Sequence, residues 1–430
     1  MGDASAPWVF SGKRRLPVGA PCDFLPPPEL ASLADLGATI VAGLRSPLGC
    51  PPLRDLAAGA RSAAVTIPDL SRACPNDLIL PALLDELNGA GLPDAAATVF
   101  VGCGLHRSTS PEEKVALAGA AAVARVRVED AQGQESPMAD LGRTALGCPV
   151  HLHAAVAAAD LVVSVGVLEP HLYAGYSGGV KGVAIGCGGE ETIVWTHRPA
   201  FISRTGVELC SLDGNPFQET LREATSRTRL KFAVTAVMND AGGVAALAAG
   251  DPVAVQASLA ARFAPAWLRE IAAPYDVIVA GIKAPKHENL YQASRAATYI
   301  GLAASPALVD GGLLLLCADL PLGPGDGPGE LNFARVLGAA ESPAALVARG
   351  LTGSLGPGGQ RAFVVARVLQ HFRVGVCGAA DAGFLGSLGI GCYHSIVEGL
   401  ADGRASRRGH APRVLAIADA LTSVVRAAPR

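Results

Sequence analysis

Short runs of apolar, β-branched residues alternate along this chain with longer stretches in which apolar residues recur every three to four positions. "AAVTIPDL" (63–70), "AATVFVGCG" (96–104) and "ADLVVSVGVLE" (159–169) read as buried strands of the first half. "YDVIVAG", "GGLLLLCAD" (311–319) and "FRVGVCGAA" (372–380) repeat the pattern in the second. Between strands, "NDLILPALLDELNGAG" (76–91) places Leu78, Ile79, Leu83, Leu84 and Leu87 at helical spacing and ends in glycines suited to a C-cap. "SPEEKVALAGAAAVARV" opens with Ser110 and Glu113 as a capping box, with Pro111 at the first helical position. Asn239, Asp240, Gly242 and Gly243 separate two apolar runs in 232–251 and predict a hairpin, followed by a helix from about 252.

Alternating strands and helices predict an α/β fold with largely parallel, doubly covered sheets. At 430 residues, two domains are expected. The boundary is placed between about 265 and 275, giving an N-terminal α/β domain over 1–268 and a C-terminal α/β domain over 269–411. The last segment, 412–430, reads as a helix able to pack on either domain. The Gly/Pro-rich loop "PLGPGDGPGE" has the composition of a flap, although a plain surface loop is the more common outcome for such a stretch.

Composition narrows the functional classes. Half the residues are apolar and 17% are charged, so the interior is large and filled by aliphatic side chains. A net charge of -3 and the lack of a long basic run argue against a nucleic-acid partner. The arginines of "ADGRASRRGHAPR" read as a solvated surface. No apolar run approaches a membrane span, and the N-terminus lacks a secretory core segment. The 10 cysteines are scattered singly, as expected for free thiols in a reducing cytoplasm.

In open α/β sheets ligands bind beyond the carboxyl ends of the strands, so the residues after each predicted strand carry the chemistry. Asp69 and Arg72 follow the first, His106 and Arg107 the second, and His171 and Lys181 the third. Lys283, Lys286, Tyr291, Gln292 and Arg295 follow the first strand of the second domain. "SGGVKG" resembles a phosphate-cradling loop but lacks the Ser or Thr that a P-loop places after its lysine. His106, His171 and His197 suit a three-imidazole zinc site of a hydrolase or lyase, though at no familiar zinc spacing. Lys181 also suits a Schiff base to pyridoxal phosphate, with Ser177 on the phosphate. Residue types alone leave these alternatives open.

"PHLYAGYSGGVKG", with "TH" ending sixteen residues after its lysine, preceded by "DLSR" and "GLHRSTSPEE" and followed by "NLYQASRA", resembles the lactate racemase family that uses a nickel-pincer nucleotide. The resemblance runs from about residue 20 to 425. It implies a 2-hydroxyacid racemase or epimerase whose active site lies in the cleft between two α/β domains. It implies a nickel pyridinium-3,5-bisthiocarboxylic acid mononucleotide joined covalently to Lys181, with His197 as nickel ligand. Cofactor-biosynthesis proteins would then be transient partners.

Under the same resemblance His106 and His171 are the acid/base pair, and Asp69 and Arg72 lie near cofactor and substrate. Tyr291, Gln292 and Arg295 fall on substrate-binding positions. Hydride leaving C2 while a base takes the hydroxyl proton avoids a carbanion, and inversion needs a proton donor on each face. Arg295 stands where the family usually has lysine, which argues for a 2-hydroxy acid other than lactate, larger or with a second carboxylate. Tyr173 and Tyr176 are further pocket candidates. Retention of both histidines argues against a non-catalytic cofactor-binding protein.

Overall fold

The computed structural model describes residues 6–405 and 411–428, so part of the arginine-rich stretch near the C-terminus lies outside the described residues. The chain divides into two compact units. The central unit comprises Glu29–His197 and Arg204–Ala264; the terminal unit comprises the chain up to Pro28, Arg198–Ser203 and everything from Pro265 onward. The break between Ala264 and Pro265 falls at the edge of the window read from the sequence. The N-terminal residues, however, belong with the second half of the chain rather than with the first.

The central unit is built on a six-stranded sheet: β1 (Ala63–Pro68), β2 (Ala97–Gly104), β3 (Arg127–Gln132), β4 (Leu161–Val167), β5 (Leu230–Met238) and β6 (Val244–Gly250). Their spatial order is β6-β5-β4-β1-β2-β3, parallel except for the β5–β6 hairpin. The chain builds outward from β1 to β3 and then returns to the other side of β1 for β4 and β5. The strand order therefore reverses between β1 and β4, the place where α/β sheets open a crevice for ligands.

Period-two alternation gives the sheet two different faces. Val65, Ile67, Val99, Val101, Val163, Val165 and Val234 point to one side and pack with Ile79, Leu80, Leu83, Leu84 and Leu87 of the Asn76–Gly89 helix. Each such side chain contributes on the order of 1.5–3 kcal/mol when fully buried. Leu78, assigned by spacing to this face, is 52% exposed, and Leu80 takes the core position instead. Toward the carboxyl ends of the strands the opposite face carries Gly102, Ser164, Gly166, Thr66 and Thr235, all small, with Phe100 beside Thr66. The Ser110–Glu113 capping box forms as expected at the start of Pro111–Ala118.

In the terminal unit, Tyr275–Lys283, Leu308–Cys317, Arg373–Cys377 and Gly391–Tyr393 form a parallel sheet. The other edge of Tyr275–Lys283 is shared: Val414–Ile417 pairs with Val277–Ala280, and Ser11 and Gly12 pair with its last residues. This corrects the expected C-terminal helix. Val414–Ile417 and Val424–Ala427 are strands, the second paired with Leu268–Ile271. All four residues of Val414–Ile417 are buried in a sheet slot, and the Asp419 carboxylate accepts from the Leu421 backbone N–H in a turn that ends the strand. A short apolar run does not distinguish strand from helix; the open edge of Tyr275–Lys283 does. Among the described residues no helix is long and apolar enough to cross a membrane.

Candidate active site

Asp69 follows β1, His106 follows β2, and Glu169 and His171 follow β4, so three neighbouring parallel strands deliver polar groups to one edge. Asp69 Oδ2 lies 2.6 Å from His106 Nδ1, and Asp69 Oδ1 accepts from the Ser71 hydroxyl at 2.6 Å and its backbone N–H at 3.2 Å. The Asp69 side chain is 14% exposed while the His106 ring is 62% exposed, so the carboxylate backs a ring that faces outward. Burial pushes the Asp69 carboxyl up, but the bonds from His106 and Ser71 outweigh it and hold the group below the ordinary carboxylate range. The His106 loop is fixed by Arg107, whose guanidinium grips the Glu113 carboxylate at 2.8 and 2.6 Å.

Across the reversal point, Arg72 after β1 pairs with Glu169 after β4. A guanidinium assigned from sequence to a substrate carboxylate thus already holds one of the protein's own. Glu169 was not singled out in the sequence, although it stands in the same histidine-rich stretch.

The segment 168–197 folds back over the sheet. Pro170–His171 pairs antiparallel with Gly175–Tyr176, and this tight ribbon brings the backbone N–H groups of Tyr173 and Ala174 to His171 Nδ1, at 3.3 and 3.2 Å. Gly175 has φ +73°, and a Cβ there would lie 1.8 Å from the Ser211 carbonyl oxygen. Only glycine fits. The Ser177 hydroxyl donates to the Val167 carbonyl at 2.7 Å and accepts from the Glu169 N–H at 3.0 Å. That hydroxyl therefore pins the loop, and the phosphate role considered for it has no support.

Lys181, half-buried, leads into a π-helical turn, Gly182–Gly186, of the kind that recurs at functional sites. The turn lies on the small-residue face of the sheet. A Cβ on Gly182 would come 2.8 Å from Ser164 Oγ, and one on Gly102 would come 3.0 Å from the Gly186 Cα. Beneath it the Thr66 hydroxyl is buried without a partner.

His197 ends the helix Glu190–His197. Its Nδ1 lies 2.9 Å from the Ile193 carbonyl, which can only accept, so Nδ1 carries the proton and Nε2 keeps its lone pair. Metal-binding imidazoles are oriented in this way. The ring contacts Tyr173 at 5.6 Å and Phe217 at 5.3 Å between centroids, and Tyr173 in turn contacts His171 at 6.0 Å. The structure thus gathers His171, Tyr173 and His197 into one aromatic chain. Tyr176 is buried beside it in the ribbon.

Asn215, fully buried, positions this chain of rings. Its amide donates to the Tyr173 carbonyl at 2.9 Å and its oxygen caps the helix Pro216–Thr225, accepting from Phe217 N–H at 2.9 Å. The signal was present in the sequence as "NPFQE", an asparagine before proline at a helix start.

Among the described residues no three His, Cys, Asp or Glu side chains are grouped to hold a metal ion. A zinc site built from His106, His171 and His197 therefore does not form. Cys103 and Cys187 lie near this edge, but burial pushes both thiols up, Cys187 to about 12, so neither supplies a thiolate ligand at neutral pH. A metal held here by one imidazole and by donors of its own organic carrier fits the residue types present: Lys181 in a glycine-lined turn and His197 with its Nδ1 turned to a backbone carbonyl.

Tyr291, Gln292 and Arg295 lie in the terminal unit, half-buried on the helix Leu290–Gly301. The Asn289 side chain caps that helix at the Gln292 N–H, and the "PLGPGDGPGE" loop is tied to its start through Leu290 N–H to Gly323 carbonyl, 2.8 Å. Arg361 was missed: it is buried, its guanidinium stacks 5.6 Å from the Tyr291 ring, and it donates to Thr298 Oγ1 at 3.3 Å.

With this geometry in view, the comparisons with known proteins point to one set of relatives. Residues 13–208 match the family described as the lactate racemase N-terminal domain. The chain is 28% identical over 342 residues to a lactate racemase of Thermoanaerobacterium thermosaccharolyticum, covering 77% of this chain and 76% of the relative. It is 27% identical over 394 residues to a lactate racemase of Lactiplantibacillus plantarum, covering 90% of each. The chain is thus similar to lactate racemases along most of its length. It is an enzyme of the isomerase class, a racemase.

The fold agrees. The lactate racemase apoprotein from T. thermosaccharolyticum superposes with a TM-score of 0.89 at 22% identity, covering 98% of this chain and 100% of that one. A Thermotoga maritima protein superposes with a TM-score of 0.68 at 14% identity, covering 91% of this chain and 98% of that one. The mixed α/β architecture with largely parallel sheets is thus shared with that apoprotein.

Proposed function

We propose that this racemase inverts the C2 centre of a 2-hydroxy acid, using a nickel-pincer nucleotide tethered to Lys181 and ligated through nickel by His197. The observation that carries the reading is the orientation of His197: its Nδ1 faces the Ile193 carbonyl, which sets the tautomer and ring direction usual for metal-binding imidazoles. When bound, the nucleotide supplies a site that accepts hydride from C2 and returns it. The remaining work is done by protein groups.

His106 and His171 manage the hydroxyl proton, backed by Asp69 and by the ribbon amides respectively. Arg72 attracts the substrate carboxylate, which competes with Glu169 for the guanidinium. Tyr291 and Gln292 contact the substrate, and Arg295 favours an acid larger than lactate or with a second carboxylate. All ten cysteines are free thiols in the structure, in keeping with a protein of the reducing cytoplasm.

The test begins with intact mass. Protein produced together with the cofactor-biosynthesis proteins should carry a covalent adduct of several hundred daltons, which Lys181→Ala abolishes. Absence of an adduct on the wild-type chain would overturn the reading. With the adduct in place, a chiral assay across lactate, malate, aryl-lactates and sugar acids identifies the substrate. His106→Ala and His171→Ala should each stop inversion and leave the adduct intact.

A further inference from the structure

Arg361 is buried, only 8% exposed, and no carboxylate among the described residues pairs with it. It is the third residue of the helix Gly359–Leu369, in the first turn, where the helix dipole already presents its positive end. That turn holds no acidic residue, and the N-cap, Gly358, offers no side-chain oxygen to its N–H groups. Glu330, on the helix Pro328–Gly338 packed alongside, is committed elsewhere: its carboxylate accepts from the Asn289 amide at 3.2 Å and from the Gly327 N–H at 3.1 Å.

The guanidinium is held in place without being neutralised. On the helix Leu290–Gly301, Tyr291, Arg295 and Thr298 occupy one face at i, i+4 and i+7, and Arg361 lies along that face. Its Cζ is 5.6 Å from the centre of the Tyr291 ring. Its Nη1 donates to Thr298 Oγ1 at 3.3 Å, and the same hydroxyl donates to the Arg295 carbonyl at 2.9 Å. Its Nε is buried without a partner. A cation in such a place is unfavourable until an anion meets it, and the planar fork of a guanidinium matches a carboxylate.

We propose that Arg361 binds a second carboxylate of the substrate, so that this racemase acts on a dicarboxylic 2-hydroxy acid. This rests on the reading of Tyr291, Gln292 and Arg295 as substrate contacts. It narrows the choice left by Arg295, a larger acid or one with a second carboxylate, to the latter. Lactate carries a methyl group where such a substrate carries the far carboxylate, and so leaves the guanidinium buried and unpaired. A site built around a buried polar group rejects the analogue that lacks its partner far more strongly than an apolar pocket rejects a missing methylene.

The test compares malate, which has the second carboxylate, with lactate, which lacks it, on the adduct-carrying chain. The expected kcat/KM for malate is on the order of 100-fold above that for lactate. Arg361→Met, which keeps a flexible apolar stem beside Tyr291 and removes the charge, should erase that ratio. Arg361→Lys, which keeps the charge without the fork, should lower it about tenfold and so reads the same effect if the methionine variant does not fold. A wild type that turns over lactate as well as malate, or a ratio unchanged in both variants, overturns the proposal. The nucleotide phosphate is the other source of an anion. Arg361→Met should load the adduct on Lys181 as the wild type does, and loss of loading would move Arg361 to the nucleotide and sink the assignment. If the wild type carries no adduct, the cofactor reading fails on its own and calorimetry on the full chain decides the proposal. L-malate should then bind the wild type about tenfold or more tighter than L-lactate, a difference lost in Arg361→Met, and equal affinities in the wild type contradict it.

Discussion

Replacing Asn215 by alanine isolates how the aromatic chain around His197 is held. The side chain is fully buried and makes four close bonds: amide to the Tyr173 and Ser211 carbonyls at 2.9 and 3.1 Å, and oxygen from the Phe217 and Gln218 N–H groups at 2.9 and 3.3 Å. Alanine removes a helix cap, a loss of about 1 kcal/mol, and takes its donor from the buried Tyr173 carbonyl at about 1–3 kcal/mol, while water can reach the half-buried Ser211 carbonyl. The sum is a destabilisation of about 2–4 kcal/mol, which for a unit of this size lowers the apparent Tm by about 5–15 °C. Differential scanning calorimetry of the full chain measures it. Asn215→Asp keeps the cap oxygen but turns a carboxylate toward two carbonyls, so it should be no more stable than the alanine variant at neutral pH. If Asn215→Ala shifts stability by less than about 0.5 kcal/mol, the polar ties are not what hold the ribbon to the helix, and the reasoning fails.

Three further outcomes follow from the same geometry. Asp69 is depressed in the folded state, so its stabilising contribution is full above the ordinary aspartate value of about 4 and is lost as pH falls through the lower folded value. The stability gap between wild type and Asp69→Asn, measured by urea denaturation, should therefore be present at pH 6 and close on acidification; a gap that widens below pH 4 contradicts the assignment. His197→Ala should retain the Lys181 adduct by intact mass but lose nickel by elemental analysis, and stoichiometric nickel in that variant would remove His197 from the metal. Ser177→Ala deletes a hydroxyl that joins Val167 and Glu169, which should cost about 1–2 kcal/mol in thermal denaturation without changing the mass of the adduct.

Much of the fold was legible because it depends on local pattern. The β1, β2 and β4 strands, the Ser110 capping box and the β5–β6 hairpin each follow from residues adjacent in sequence. What depends on long-range registry was not. Val414–Ile417 is apolar enough for either helix or strand, and the edge of Tyr275–Lys283, more than a hundred residues earlier, selects strand. The site divides in the same way. Convergence of Asp69, His106 and His171 on one edge was readable from the rule about strand ends. The Asp69–His106 bond and the Arg72–Glu169 pair were not, because each partner is defined by strands that become neighbours only in the sheet.

The small-residue face explains why so few polar groups suffice. A π-helical turn can lie flat on a sheet only where the sheet offers little side-chain volume, and Gly102, Ser164 and Thr66 supply that along three neighbouring strands. The arrangement sacrifices packing: the Thr66 hydroxyl is left buried without a partner, a cost of about 1–3 kcal/mol that a valine at the same position would avoid. Thr66→Val should therefore raise the stability of the chain, since it replaces an unsatisfied hydroxyl with a methyl of nearly equal size. If the hydroxyl serves only the fold, adduct formation on Lys181 is unaffected by the change. If it faces what Lys181 carries, the variant is more stable yet loads less, and that opposition between stability and loading is the signature of a surface kept imperfect for a ligand.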